Sequence, residues 1–316
     1  MQTRRLGNSG LRVSEIGLGS WLTLGSKIDF GDTARLVHAA YERGIFFFDT
    51  ADVYSTGAAE TALGQAVGDL SRHDLVLATK CFFPMSEGAN DRGLSRKHIF
   101  ESVEGSLRRL GTDYVDLHQC HRADPETPLE ETVSAYTDLI RQGKVLYWGV
   151  SEWSADRIEQ ACAIADRIGG YRPISNQPNY SIVRRGIEAE VIPASLREGL
   201  GQLVFSPLGQ GVLTGKYSGG ARPAGSRASD QKRNLWMNAY LDPEILERVD
   251  RLAPLAAKLD VGLAQLALAW CLRDTAVASV IVGATSTRQI DENAGASGVV
   301  LPDEIVAEID VLFPPA

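Results

Sequence analysis

The sequence predicts an α/β protein: a closed (β/α)8 TIM barrel with an N-terminal β-hairpin capping the barrel bottom. Two observations carry this reading. Eight short apolar runs alternate with amphipathic stretches of helical period, the pattern of a parallel sheet whose crossovers are helices. The length, 316 residues, suits one such barrel as a single domain over residues 1–316, whereas an open doubly wound sheet has fewer strands and a dinucleotide fingerprint. The strand candidates are EIGLG (15–19), IFFFD (45–49), LVLATK (75–80), YVDLHQC (114–120), VLYWGVS (145–151), ISNQ (174–177), LVFSPL (203–208) and SVIVGA (279–284).

The leading RRLGNSGLRVS reads as a hairpin turning at Asn8-Ser9-Gly10, and it precedes the first barrel strand, where it would lie across the floor. Helix borders carry their own signals. In TPLEETVSAYTDLIRQGK, Thr127 is placed to cap, Pro128 to fit the first turn, Glu130 to complete a capping box and Gly143 to stop the helix. Leu129, Val133, Tyr136 and Ile140 fall on one face of it, and Leu263, Leu266, Ala267, Trp270 and Cys271 form a similar stripe before the last strand. Two connections, residues 81–95 and 209–241, are longer than a crossover needs. Both follow strands, so both would sit on the C-terminal face, where barrels build their sites.

Apolar residues make up 44% and charged residues 23% of the chain, enough for a large core. The net charge of -8 and the lack of any Lys/Arg run exclude a polyanion-binding surface, so nucleic acid is not an expected partner. No apolar segment follows Arg4 and Arg5 and none later approaches a membrane span, so no membrane partner is expected and the expected compartment is the cytoplasm. Cys81, Cys120, Cys162 and Cys271 are scattered, without metal-site spacing, and fit free thiols. His118 and His121, three apart on a strand, would point to opposite faces, so no metal site is read here.

The candidate chemistry sits where apolar runs end on polar residues. Asp49, Lys80 and His121 lie at or just past the ends of the second, third and fourth strands, and Tyr54 follows the second by a short loop. A free tyrosine, with a pKa near 10, is a poor acid at neutrality. A neighbouring Lys80 ammonium would favour the phenolate and lower that pKa, Asp49 would hold the lysine charged, and His121 would hydrogen-bond a carbonyl oxygen. Taken singly, each has a plain structural role as strand-end lysine, loop cap or rim aromatic; four converging on one mouth are harder to explain that way. His118 is read as structural and Cys81 as an inert buried thiol.

These residues stand in motifs that resemble the aldo-keto reductases. FFDTADVYSTGAAETALG carries the Asp and Tyr, LATK the lysine and YVDLHQCHRADP the histidine. GLGSW, RQGKVLYWGVSEWS, FSPLGQGVLTGKY and VIVGATSTRQIDENAGA extend the likeness over almost the whole chain. It is most similar to the branch containing the potassium-channel β subunits and their bacterial relatives. The resemblance implies NADPH-dependent reduction of aldehydes or ketones, with Asp49, Tyr54, Lys80 and His121 as the catalytic set. Trp21, Tyr54, Phe82 and His121 would face the substrate, and Trp153 and Trp236 are further aromatic candidates. It places Gly19, Ser20, Trp21, Asp49, Ser151, Asn176, Gln177 and Phe205 near the nicotinamide. Ser206, Pro207, Leu208, Gly209, Gly211 and Lys216 would follow the pyrophosphate and ribose, with SPLGQG turning backbone N–H groups toward phosphates. Arg227 would meet the 2′-phosphate, and Gly283, Thr285, Thr287, Gln289, Glu292 and Asn293 the adenosine end. There Ser286 would cap a helix with Gln289 as its capping-box partner. Lys216, Arg227 and Arg288 imply NADPH over NADH, with NADH bound more weakly; many members of the family have arginine where this chain has Gln289. GQGVLTG differs in spacing from the G-x-G-x-x-G of dinucleotide folds. The channel-subunit branch implies a second reading, an NADPH-binding redox sensor or regulatory subunit with slow turnover. Those subunits carry asparagine where this chain keeps His121, which favours turnover. Monomer and homo-oligomer are equally open.

Overall fold

The computed structural model describes residues 1–25, 28–230, 234 and 237–315. Its strands are β1 (Thr3–Arg5), β2 (Arg12–Ser14), β3 (Ile16–Gly19), β4 (Phe47–Asp49), β5 (Val76–Cys81), β6 (Val115–Cys120), β7 (Val145–Ser151), β8 (Ser175–Gln177), β9 (Gly201–Phe205) and β10 (Val277–Val282). β3 to β10 form a closed parallel barrel in which each strand pairs with its successor and β10 pairs back onto β3. Every apolar run singled out in the sequence overlaps one of these strands, though β5 runs one residue past its run and β9 and β10 each begin two residues before theirs.

Alternation sorts the strand residues into two layers. Phe47, Ala78, Leu117 and Leu203 point inward and pack with one another, while their neighbours Phe48, Leu77 and Val204 point outward to the helices. Those helices include Phe30–Glu42, Ala58–Val67, Arg96–Leu110, Leu129–Arg141 and Ala155–Arg167. Asp29, Ser95 and Ser154 each accept the N–H three residues on and so start three of them. The capping box expected at Thr127 and Glu130 does not form. Leu129–Arg141 starts from Pro128 with no side-chain cap; Thr127 Oγ1 instead donates to Asp124 Oδ2 (2.8 Å) and Glu130 pairs with Arg167 (2.7 Å). A nearer carboxylate has taken the hydroxyl. Gly143 does follow the helix in a left-handed conformation (φ 72°).

β1 and β2 pair antiparallel, Thr3 opposite Ser14 and Arg5 opposite Arg12. Leu6 and Val13 from this hairpin are fully buried in the inner layer with Phe47, Val76 and Leu117, so the barrel floor is plugged by side chains. Arg4 Nε binds Glu15 Oε1 (2.7 Å), whose other oxygen accepts from Ser297 Oγ (2.8 Å), which stitches the start of the chain to its last turns. Among the described residues no single helix is long and apolar enough to cross a membrane.

The left-handed glycine of this turn is Gly7 (φ 56°), just before Asn8-Ser9-Gly10. A Cβ on Gly7 would lie 2.2 Å from Gly199 O and 2.6 Å from Gly201 N, whereas one on Gly10 would meet only the Tyr147 hydroxyl, at 3.9 Å. Gly7→Ala is therefore expected to cost about 2 kcal/mol or more, from left-handed strain and displacement of the floor. Gly10→Ala should cost under about 0.5 kcal/mol. Urea unfolding midpoints of the two variants check this; equal midpoints would show that the hairpin does not seat as described.

Candidate active site

The inward positions nearest the C-terminal ends of the strands are polar where the floor is apolar. Asp49, Lys80, Gln119, Ser151 and Gln177 occupy them, with Phe205 completing the ring. Register brings them together: Lys80 lies opposite Gln119, and Ser151 opposite Gln177. Lys80 is fully buried. Its Nζ donates to Asp49 Oδ2 (2.6 Å), Thr50 O (2.7 Å) and Tyr54 Oη (3.4 Å), using all three ammonium hydrogens. Asp49 Oδ1 accepts from Gln177 Nε2 (2.9 Å) and Gln119 Nε2 (3.3 Å). His121 stands edge-on to Tyr54, ring centroids 5.6 Å apart, and to Phe83 at 4.9 Å. The four residues singled out for chemistry thus meet at one point.

Burial pushes the Tyr54 hydroxyl above its usual pKa; Lys80 pulls it down and Asp49 pushes it up, and the net direction is upward. The lysine acts in the expected sense but does not overcome desolvation, so Tyr54 carries its proton at neutral pH. Burial alone would lower the Lys80 pKa, but Asp49 and then Tyr54 outweigh it and hold the ammonium charged. Burial, then Lys80 and Arg122, hold the His121 pKa well below the usual value, so its ring is neutral. His118 faces the other way. Its Nδ1 meets the Tyr136 hydroxyl at 2.9 Å, and burial holds its pKa at about 3, so it serves the outer core. Burial likewise raises Cys81 far above a reactive thiol.

From Tyr54 and His121 a cavity of about 1640 Å³ runs over the C-terminal face. That exceeds the roughly 300–1,000 Å³ of a pocket for a drug-sized ligand. Of the sequence candidates, Gly19, Trp21, Asp49, Tyr54, His121, Ser151, Gln177, Phe205, Ser206, Pro207, Leu208, Gly211, Lys216, Arg227, Gly283, Thr285, Gln289, Glu292 and Asn293 line it. Others stand apart from the lining. Ser20 is buried and donates to Thr50 Oγ1 (2.8 Å); Asn176 is buried and donates to Gln202 Oε1 (3.4 Å). Gly209 and Thr287 are set back from the wall, and Lys80 sits behind Asp49 and Tyr54. Phe82 packs against the outer core while its neighbour Phe83 faces the cavity. Trp153 is buried in the outer core, and Trp236 lies outside the described residues.

The SPLGQG turn is also arranged differently from the sequence expectation. Ser206, Gly209, Gln210 and Gly211 are all left-handed, but Gly209 N donates to Ser206 O (2.8 Å) and Gly211 N to Leu208 O (2.9 Å). Those two N–H groups close the turn on itself. Positive charge at that wall comes instead from side chains: Arg227 binds Gln210 Oε1 and lies over the Trp21 ring (5.3 Å), and Lys216 stands beside it. Burial, then the Arg227 charge, lower the Lys216 pKa, as two cations side by side require. Ser286 caps the helix Thr287–Ala294, but Gln289 Oε1 accepts from Thr285 N (2.7 Å), one residue before the box position.

A closed parallel barrel with this inner ring and cavity is the architecture of one class of oxidoreductase. The chain belongs to the aldo/keto reductase family, whose model matches residues 15–313. It is 46% identical to a probable voltage-gated potassium channel subunit beta of Oryza sativa subsp. japonica, over 99% of this chain and 96% of that protein. It is 45% identical to a probable voltage-gated potassium channel subunit beta of Arabidopsis thaliana (95% and 92%) and 42% identical to a putative one of Schizosaccharomyces pombe (98% and 92%).

Sequence reading missed the support behind this ring. Ser55, Thr56 and Gly57, which follow Tyr54, are all left-handed, and the Arg109 side chain packs against Gly57 on its way to Glu60 Oε2 (2.6 Å). Glu60 also accepts from Thr79, beside Lys80, at 2.5 Å. Next to it, Asp52 is fully buried, accepting from Ser102 Oγ (2.8 Å) and Val53 N (2.6 Å). Burial, with a further push from Glu60, raises its pKa to about 7 against the hydrogen bonds. An acid whose folded pKa is raised binds its proton more tightly folded than unfolded. Its contribution is therefore full below the ordinary pKa of 3.8 and is lost as pH rises toward 7. Asp52→Asn, which keeps the shape and the bond from Val53 N and can donate its amide N–H to Ser102 Oγ in place of accepting from it, should remove this slope. By pH 8 it should gain up to about 4 kcal/mol over wild type relative to their difference at pH 4. Urea unfolding of both proteins at the two pH values measures it, and parallel curves would refute it.

Proposed function

We propose that the protein reduces aldehydes or ketones to alcohols with NADPH. The observation that carries this reading is the contact of one buried ammonium, Lys80, with both the Asp49 carboxylate (2.6 Å) and the Tyr54 hydroxyl (3.4 Å) at the inner end of the cavity. Tyr54 keeps a proton on its oxygen at neutral pH and gives it to the substrate carbonyl oxygen as the bond to carbon is reduced. The phenolate left behind lies within reach of a fixed positive charge, which lowers the cost of losing that proton. Neutral His121 offers a ring N–H to the same oxygen without placing a second cation beside Lys80. Gln119 and Gln177 hold Asp49, and Asp49 holds Lys80. In the reverse direction the phenolate takes the alcohol proton.

NADPH, when bound, supplies the hydride. The cavity's volume of about 1640 Å³ and its polar and cationic lining side chains support this reading. Ser151, Gln177 and Phe205 line the cavity and would stand beside the reacting end. Lys216 and Arg227 form the paired cation that an anion would relieve, which suits phosphate and the 2′-phosphate above all. Thr285, Arg288, Gln289, Glu292 and Asn293 would hold the adenosine end. The relatives named as channel subunits support a second reading, a regulatory subunit that binds NADPH and turns over slowly.

NADPH oxidation with a reactive aromatic aldehyde separates the two. Wild type should turn over, and Tyr54→Phe should lose about 10²- to 10⁴-fold in kcat while still quenching on NADPH addition. Binding without turnover across a panel of aldehydes and ketones would favour the regulatory reading. In the same fluorescence titration NADPH should bind at least about tenfold more tightly than NADH, and equal affinity would remove the assigned role of Lys216 and Arg227.

A further inference from the structure

Resting on the reductase reading, we propose that Arg122 is a specificity residue: it binds an anionic oxygen group on the substrate, so the preferred substrates are carbonyl compounds bearing a carboxylate or phosphate. Arg122 follows His121 directly and lines the inner end of the cavity with Tyr54, Phe83 and His121. Its charge acts on both reacting groups, lowering the pKa of Tyr54 and of His121, which puts it close to where a carbonyl oxygen would sit.

The guanidinium is held on one side only. Nη1 donates to His121 O and reaches Ser151 Oγ at 3.5 Å, and the plane lies over the Phe83 ring at 5.6 Å. Among the described residues no carboxylate pairs with it, and no hydrogen bond uses Nε or Nη2. Those two donors form the edge of the fork that takes a carboxylate or phosphate in two parallel bonds. Of the acidic residues in the same wall, Asp49 is paired with Lys80, and Glu152 Oε1 accepts from Asn179 N at 2.6 Å. The chain therefore leaves a cation unneutralised beside the reacting groups, in a cavity wall where fixed charge acts strongly. Lys216 and Arg227 stand at another part of the wall, beside the SPLGQG turn, and do not supply this charge.

The test compares kcat/KM for 4-carboxybenzaldehyde against its methyl ester, and for 4-formylphenyl phosphate against 4-methoxybenzaldehyde, with NADPH. Wild type should prefer the anion in at least one pair by about tenfold or more, the scale of charge-assisted hydrogen bonds. The larger ratio identifies the group preferred. Arg122→Gln should bring that ratio to near one, and Arg122→Lys should restore it only in part, since lysine keeps the charge but not the fork. A second measurement is independent of turnover and of the variants. Wild-type protein loaded with NADPH, with which an alcohol cannot react, should bind 4-(hydroxymethyl)benzoate more tightly than its methyl ester by calorimetry. Turnover of neutral aldehydes with no anion preference in either pair would overturn this inference and leave the reductase reading standing. Failure with every aldehyde would count against the reductase reading, and equal binding of the acid and the ester would then overturn the role of Arg122 separately.

Discussion

The buried Lys80–Asp49 ion pair is the constraint around which the upper half of the barrel is organised. Two charges taken out of water cost several kcal/mol each unless every remaining donor and acceptor is matched. Here they are matched: three acceptors surround one ammonium, and two amide side chains serve the second carboxylate oxygen. The partners come from β4, β5, β6 and β8 and from the turn after β4. Strands on opposite sides of the barrel must therefore keep their register for the pair to exist at all. Losing one charge would strand the other, at about 3–5 kcal/mol.

That constraint divides the barrel interior into two storeys. Below, Phe47, Ala78, Leu117 and Leu203 fill the space with apolar side chains and the hairpin closes the end. Above, three of these strands carry carboxylate, ammonium and amide at their next inward positions, and β8 adds the second amide. The floor supplies rigidity without polarity, and the ring above supplies charge on a scaffold that cannot shift. Tyr54 belongs to neither. It rides on a loop of left-handed residues, held from behind by Arg109 and Glu60, and reaches over to the ammonium.

Much of this was legible in the sequence because the informative residues close apolar runs. Asp49 ends FFFD, Lys80 ends LATK and His121 follows LHQC, and a strand end is a position that alternation and barrel geometry fix together. Gln119 was legible by the same rule, since it is two residues on from inward-facing Leu117, but an amide draws less notice than the histidines on either side. The misses fall where the period of two stops. Past β5 the backbone bends, and Phe83, not Phe82, turns to the cavity. Thr127 met a carboxylate at Asp124 that no local pattern announces. The glycines of SPLGQG do allow left-handed backbone, but their N–H groups bond within the turn, and the direction of an N–H cannot be read from residue type. Arg109 and Glu60, 49 residues apart, meet only because their two helices pack as neighbours.

The closure of β10 onto β3 has a consequence for how the chain is made. Of the barrel strands β3 leaves the ribosome first, yet its second neighbour, Val277–Val282, is the last to emerge. The stitch from Glu15 to Ser297 comes later still. For most of synthesis the nascent sheet has an open edge at β3, with unpaired N–H and C=O groups and one side of its apolar strands uncovered. Contacts this distant in sequence are slow to form and leave partly assembled chains prone to pairing with one another.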